Sequence, residues 1–208
     1  MSATRHEVVS SDDEPLILVD SSDRVQGYLD KASSHDGEGL LHRAFSLFVF
    51  DPAGNLLIQQ RAREKRLWPL FWSNSCCSHP RMNETMQEAI SRRVSEELGI
   101  SVDFRFLYKF EYQAAYCEDN RTLGSEHELC SVYAGIVDSP LAINSSEINA
   151  WKWVSPQQLS LELEQYPERF TPWFKMEWQR LMHEFKPQID TLLNVIPGRC
   201  SNTLRVEK

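Results

Sequence analysis

The sequence predicts a single α/β domain, a sandwich in which helices flank a mixed sheet. Three observations lead there. The 208-residue chain is 41% apolar and 25% charged, enough for one good core. Two apolar runs in residues 44–61, AFSLFVFD and LLIQQR, are joined by Asp51-Pro52-Ala53-Gly54-Asn55, a hairpin pattern. Residues 84–98 then change to helical spacing, and further strand-like segments precede the helix starters Ser155-Pro156 and Thr171-Pro172, so strands and helices interleave.

Taken in order, residues 1–14 are polar and acidic and are expected to form a disordered tail, with the domain spanning 15–208. LILVD (16–20) begins a strand, and SSDRVQGYLDK makes a turn and a second extended piece. AFSLFVFD (44–51) reads as a buried strand and LLIQQR (56–61) as its partner, followed by a loop rich in Trp and Pro. From Glu84 to Leu98 the residues Met86, Ala89, Ile90, Val94 and Leu98 form one stripe, and Gly99 is the C-terminal stop. At about 100° per residue, Arg93 and Glu97 fall inside that apolar arc. Charges pointing inward are costly unless paired or bound, so the two form either an internal i,i+4 ion pair or part of a ligand site.

Beyond this helix, DFRFLYKFEYQ (103–113) and ELCSVYAGIV (128–137) read as strands separated by a polar loop, with AWKWV (150–154) as another short one. Ser155-Pro156 opens a helix. Thr171-Pro172 opens another, carrying Trp173, Phe174, Trp178, Leu181, Met182 and Phe185. The last twenty or so residues fit neither pattern, and there is no internal repeat.

The charge balance restricts partners. Thirty acidic against 22 basic residues give a formal net charge of −8, and no Lys/Arg run is long enough to track a nucleic acid or an anionic membrane. A phosphate-bearing ligand must therefore be held by a few local cations or by a metal. The five cysteines, Cys76, Cys77, Cys117, Cys130 and Cys200, are odd in number and lack C-x-x-C spacing, which suits a reducing compartment. With no secretory pattern at the start, no membrane-length apolar run and no retention or prenylation signal in RVEK, the expectation is a cytoplasmic protein and a monomer.

His35, His42, His79, Glu126 and Glu128 make an N/O donor set suited to Zn, Mn or Fe. Glu126-His127-Glu128 opens a predicted strand, on which the two carboxylates share a face. Any one of these histidines alone is more often a surface or hydrogen-bonded residue than a ligand. In FWSNSCCSHP (71–80), Cys76 reads as an ordinary buried cysteine, whereas Cys77 lies two residues before His79 and in an extended segment shares its face. Lys31, Arg61, Lys65 and Arg93 are individually typical of a solvated surface. Together with the inward Glu97 they would suit a diphosphate and its Mg²⁺.

SNSCCSHP, GLLHRAFS with His42, SEHE and TPWF resemble, in order and spacing over roughly residues 16–185, the type 1 isopentenyl-diphosphate isomerases. The helix resembles a degenerate Nudix box: Glu84, seven residues, Arg92, Val94, then Glu96-Glu97-Leu98-Gly99-Ile100. It departs from that box at Ser78, in place of the first Gly, and at Arg93, in place of the Glu after the box Arg. The resemblance implies a Nudix-like α/β/α sandwich with a mixed sheet and an enzyme interconverting isopentenyl and dimethylallyl diphosphate by a 1,3-proton shift through a carbocation-like intermediate. It implies His35, His42, His79, Glu126 and Glu128 as ligands of one divalent metal (Mg, Mn or Zn), and Cys77 and Glu128 as the proton-transfer pair. It also implies Tyr112 as the assisting tyrosine, Trp173 as an aromatic wall, Glu97 as a ligand of Mg²⁺ carried with the substrate, and Lys31, Arg61, Lys65 and Arg93 as diphosphate-binding residues. A Nudix-type pyrophosphate hydrolase and a metal-stabilised binding module are the alternatives.

Overall fold

The apolar runs and helical stripes fold into a nine-stranded mixed sheet with helices on both faces, and two further short strands pair apart from it. A computed structural model describes residues 3–194. β1 (Ala3–Arg5) precedes the hairpin β2 (Pro15–Val19) and β3 (Val25–Asp30), the short helix α1 (Lys31–Ser34), the buried strand β4 (His42–Phe50) and its return partner β5 (Leu56–Arg61). Short strands β6 (Trp72–Ser73) and β7 (Cys76–Ser78) lead to helix α2 (Met86–Leu98). The long strands β8 (Arg105–Glu118) and β9 (Arg121–Ile136) follow, then β10 (Ala142–Asn144) and β11 (Ile148–Val154). Helices α3 (Pro156–Gln165), α4 (Pro172–Arg180) and α5 (Lys186–Asn194) complete the described chain, the last two joined by a π-helical segment, Leu181–Phe185.

β4 is the organising strand. It pairs in parallel with β9 from His42↔Glu128 to Phe50↔Ile136 and antiparallel with β7, where Ser46 faces Cys77. Its side chains alternate between two cores. Ala44, Phe48 and Phe50 pack with α3, α4 and α5, while Phe45, Leu47 and Val49 pack with α2, which is why the segment reads as an unbroken apolar run.

Local chemistry sets the helix ends. Thr85 and Glu88 form a reciprocal capping box at the start of α2, so the helix begins two residues later than Glu84. Gly99 closes it with φ at 67°, and a Cβ there would stand 2.6 Å from Ala142 Cβ. Gly99→Ala is therefore expected to lower the unfolding free energy by about 1–3 kcal/mol. Urea denaturation would measure this, and an unchanged midpoint would show that α2 can end differently.

Two expectations are corrected. The polar loop foreseen between the strands at 103–113 and 128–137 is instead the end of a long β8–β9 hairpin, turned at Asp119-Asn120, both with positive φ. Glu126 and Glu128 consequently lie well inside β9 rather than opening a strand. The segment expected to be a disordered tail is placed against the domain: β1 pairs with β10, and Glu14 is buried beside Arg81. Residues 195–208, including Cys200, lie outside the described residues; the cysteines within them, Cys76, Cys77, Cys117 and Cys130, are all free.

Candidate active site

The histidines and carboxylates converge because two strands run in parallel. β9 alternates, so Glu126 and Glu128 face inward while His127 turns outward to Glu111 at 3.3 Å. The β4–β9 register sets His42 beside Glu128. Asp30 caps α1 through Ser33 N at 2.8 Å, and His35 follows directly after that turn. His79 follows β7, and Arg92 donates to its carbonyl while gripping Glu84 at 2.6 and 2.8 Å, so the two box residues clamp the loop that carries it.

The nitrogen and oxygen atoms of His35, His42, His79, Glu126 and Glu128 all lie within 4.8 Å of one another, and all five residues are buried. His35 Nδ1 is 2.6 Å from the Lys31 carbonyl and His42 Nδ1 is 2.7 Å from the Leu40 carbonyl. A carbonyl only accepts, so each Nδ1 carries a proton and each neutral ring offers an Nε2 lone pair. His42 Nε2 is buried with no hydrogen-bond partner among the described residues, 3.9 Å from Glu128 Oε1. His35 Nε2 stands 2.7 Å from Glu126 Oε2, where lone pairs repel unless a proton or a cation lies between them. This donor set and its orphaned nitrogen fit a divalent metal.

The electrostatics agree. Burial, aided by the neighbouring histidines, pulls His42 down to about 4 and His79 well below its ordinary value, so both rings are neutral at pH 7. Burial also lowers His35, but the Glu126 charge outweighs it and the net shift is upward. Burial raises Glu126, but His35 and His42 override that and hold it at about 2. Glu128 is pushed well above the usual carboxylate range by burial and then by Glu126. A cation among the five atoms would favour neutral imidazoles and two carboxylate anions.

Cys77, Tyr112, Glu128 and Trp173 line one cavity of about 740 Å³, together with His35 and His79. Cys77, Ser78 and His79 all line it. Tyr112 lies opposite Glu128 in the β8–β9 register and donates to its Oε2 at 2.8 Å. Burial pushes the Cys77 thiol up to about 12, opposed by Arg61, whose guanidinium nitrogen is 4.0 Å from the sulfur. Trp173 packs edge-on against Trp68 with ring centres 5.1 Å apart, and the Arg61 guanidinium lies 5.4 Å from its ring.

All four sequence-derived cations reach the same cavity. Lys31 donates to Ser10 Oγ at 3.1 Å, and Arg61 is steadied by the Leu67 and Trp68 carbonyls at 3.0 and 3.2 Å. Arg93 pairs with Glu97 at 2.5 Å, so the inward pair on α2 is an internal ion pair whose guanidinium also forms cavity wall. Glu97 itself is buried behind Arg93 and is not among the lining residues. Two acidic groups escaped the sequence reading. Glu147, in the turn after β10, pairs with both Lys65 and Arg93 and carried no motif to reveal it. Glu177 is fully buried on α4, 3.6 Å from the Cys130 sulfur, and burial pushes it up to about 8. It was detectable, because it sits four residues after Trp173 on the apolar face of its helix.

The chain is similar to known proteins along most of its length. The NUDIX domain family matches residues 40–174. The chain is 40% identical over 171 residues to the isopentenyl-diphosphate Delta-isomerase 1 of Photorhabdus laumondii, covering 81% of this chain and 95% of that protein. It is 44% identical over 162 residues to the isopentenyl-diphosphate Delta-isomerase of Serratia proteamaculans, covering 78% and 88%. Among solved structures, DR0079 from Deinococcus radiodurans superposes with a TM-score of 0.65 at 23% identity, covering 80% of this chain and 98% of that one, a likeness of fold.

Proposed function

The chain belongs to the isopentenyl-diphosphate Delta-isomerases of the NUDIX family, and from that premise we propose how its residues move the double bond. The observation that carries the proposal is one cavity lined by a thiol, Cys77, and by a tyrosine-bonded carboxylate, Glu128. Isopentenyl diphosphate becomes dimethylallyl diphosphate when a proton is added at the terminal CH₂ and another is lost from the carbon next to the CH₂–O group. The π electrons move by one carbon and no atom is gained or lost.

Cys77 and Glu128 come from strands on either side of β4 and serve as the two proton-transfer groups. Because the reaction is reversible, the group that acts as acid in one direction is the base in the other. Arg61, 4.0 Å from the Cys77 sulfur, stabilises the thiolate, and the Tyr112 hydroxyl does the same for the Glu128 carboxylate. His35, His42, His79, Glu126 and Glu128 would hold one divalent metal, Mg²⁺, Mn²⁺ or Zn²⁺, whose charge sets the proton affinity of Glu128. The indole of Trp173 faces the positive charge that develops between the two transfers, worth about 0.5–2 kcal/mol. Its packing on Trp68 and Tyr112 helps to exclude water from that charge.

Lys31, Arg61, Lys65 and Arg93 hold the diphosphate oxygens, and Glu97, buried against Arg93 and outside the cavity wall, would have to turn from that ion pair to hold the Mg²⁺ carried with them. The five-carbon group offers little surface, so this end supplies most of the anchoring. Among the described residues no helix is long and apolar enough to cross a membrane.

Proton NMR of isopentenyl diphosphate in D₂O, with the protein, Mg²⁺ and a divalent transition metal, tests the proposal. The dimethylallyl isomer should appear with deuterium incorporated. Release of phosphate without isomerisation would transfer the assignment to a diphosphate hydrolase, which has no use for a thiol in this position.

A further inference from the structure

Glu147 is a carboxylate set inside an anion-binding cavity, and the isomerisation scheme gives it no task. It is 4% exposed, lines the cavity, and its Oε2 accepts from Lys65 Nζ and, at 3.0 Å, from Arg93 Nη2. Its position is built in. The Glu147 amide bonds to the Asn144 carbonyl at 3.1 Å, and its own carbonyl accepts from Ala62 N at 2.9 Å, which ties the turn to the residue after Arg61. Of the four cations, Glu147 neutralises two directly. It also adds to the support of a third: burial and the charges of Lys65 and Arg93 pull the Lys31 ammonium down, and Glu14, then Glu147, oppose them.

We propose that Glu147 is a specificity-determining residue of the diphosphate cradle, a fixed anion that lowers the cradle's charge so that it takes a diphosphate together with its divalent cation rather than the bare anion. The inference rests on the assignment of Lys31, Arg61, Lys65 and Arg93 to the diphosphate. A free diphosphate ester carries about three negative charges near neutral pH, and its complex with Mg²⁺ carries about one. Coulomb energy scales with ligand charge, so a carboxylate in the wall penalises the bare ester about three times as strongly as the complex. Lys65 and Arg93 meanwhile stay in place before substrate arrives, because each is already hydrogen-bonded to the same oxygen.

The test is calorimetric titration of the metal-loaded protein with inorganic pyrophosphate, with and without excess Mg²⁺, alongside thermal unfolding. The wild type should prefer the Mg²⁺ form. Glu147→Gln keeps an oxygen acceptor but loses the charge, and should bind bare pyrophosphate more tightly, lowering that preference at least tenfold. Glu147→Asp keeps the charge and should keep the preference even if it unfolds at a lower temperature. A folded Glu147→Gln with the wild-type preference, or an Asp variant that loses it as Gln does, overturns the inference. Failure of the cradle assignment looks different: Lys31→Ala and Arg61→Ala would then bind pyrophosphate as the wild type does, whatever stands at residue 147.

Discussion

Cys77→Ala should reduce turnover by about 10³-fold or more while the protein remains folded. The backbone of residue 77 pairs with Ser46, and that pairing survives loss of the sulfur. The side chain is only half-buried and lines the cavity, so its removal costs about 1 kcal/mol of stability. The neighbouring thiol provides the contrast. Cys76 is wholly buried in the core with Phe45, Leu47 and Ile90 and is absent from the cavity wall, so Cys76→Ala should lower the unfolding midpoint and leave turnover within a fewfold of wild type. Steady-state kinetics and thermal melts on the two variants should therefore give crossed results. A Cys77→Ala enzyme within fivefold of wild type would remove the thiol from the chemistry.

Exhaustive removal of divalent metal should abolish activity and lower the melting temperature, and both should return with a transition metal. A metal at 100 times its dissociation constant stabilises the fold by about 2.7 kcal/mol. His42 and His79 are neutral at pH 7, but His35 is shifted up by Glu126 and Glu128 by burial, so metal competes with protons at those two. Calorimetric titration with metal in two buffers of different ionisation enthalpy should then give different apparent heats, and affinity should weaken as pH falls. Identical heats would mean that the site is already deprotonated. The metal-free protein has its own pH dependence. The His42 pKa is depressed from 6.5 to about 4 in the fold, so the unfolded chain binds a proton that the native state resists. The stability this contributes is intact above pH 6.5 and is lost as pH falls from there through about 4. Activity that survived exhaustive chelation would sink the metal assignment.

Much of this was legible locally. Two apolar runs joined by a turn marked β4 and β5, the 3.6-residue stripe ending in Gly99 marked α2, and the inward Arg93 and Glu97 stood out because a charge on an apolar arc requires a partner. The β8–β9 arm was missed because its outer half, CEDNRTLGSEHE, is polar and lacks a strand's apolar alternation. Pairing between two long neighbours holds such a segment extended where its own residues would not.

By itself the sequence determined the residue types and their local faces: two carboxylates on one side of a strand, a thiol and an imidazole two residues apart, a helix with a charged pair turned inward. Only the tertiary structure decided that these faces meet. His42 comes to lie beside Glu128 through parallel pairing of strands distant in sequence, and Glu147 reaches Lys65 and Arg93 from a turn with no pattern of its own. Periodicity reports which way a side chain points within its own element. Which element it then faces depends on long-range register, and that is set by the packing of the whole core.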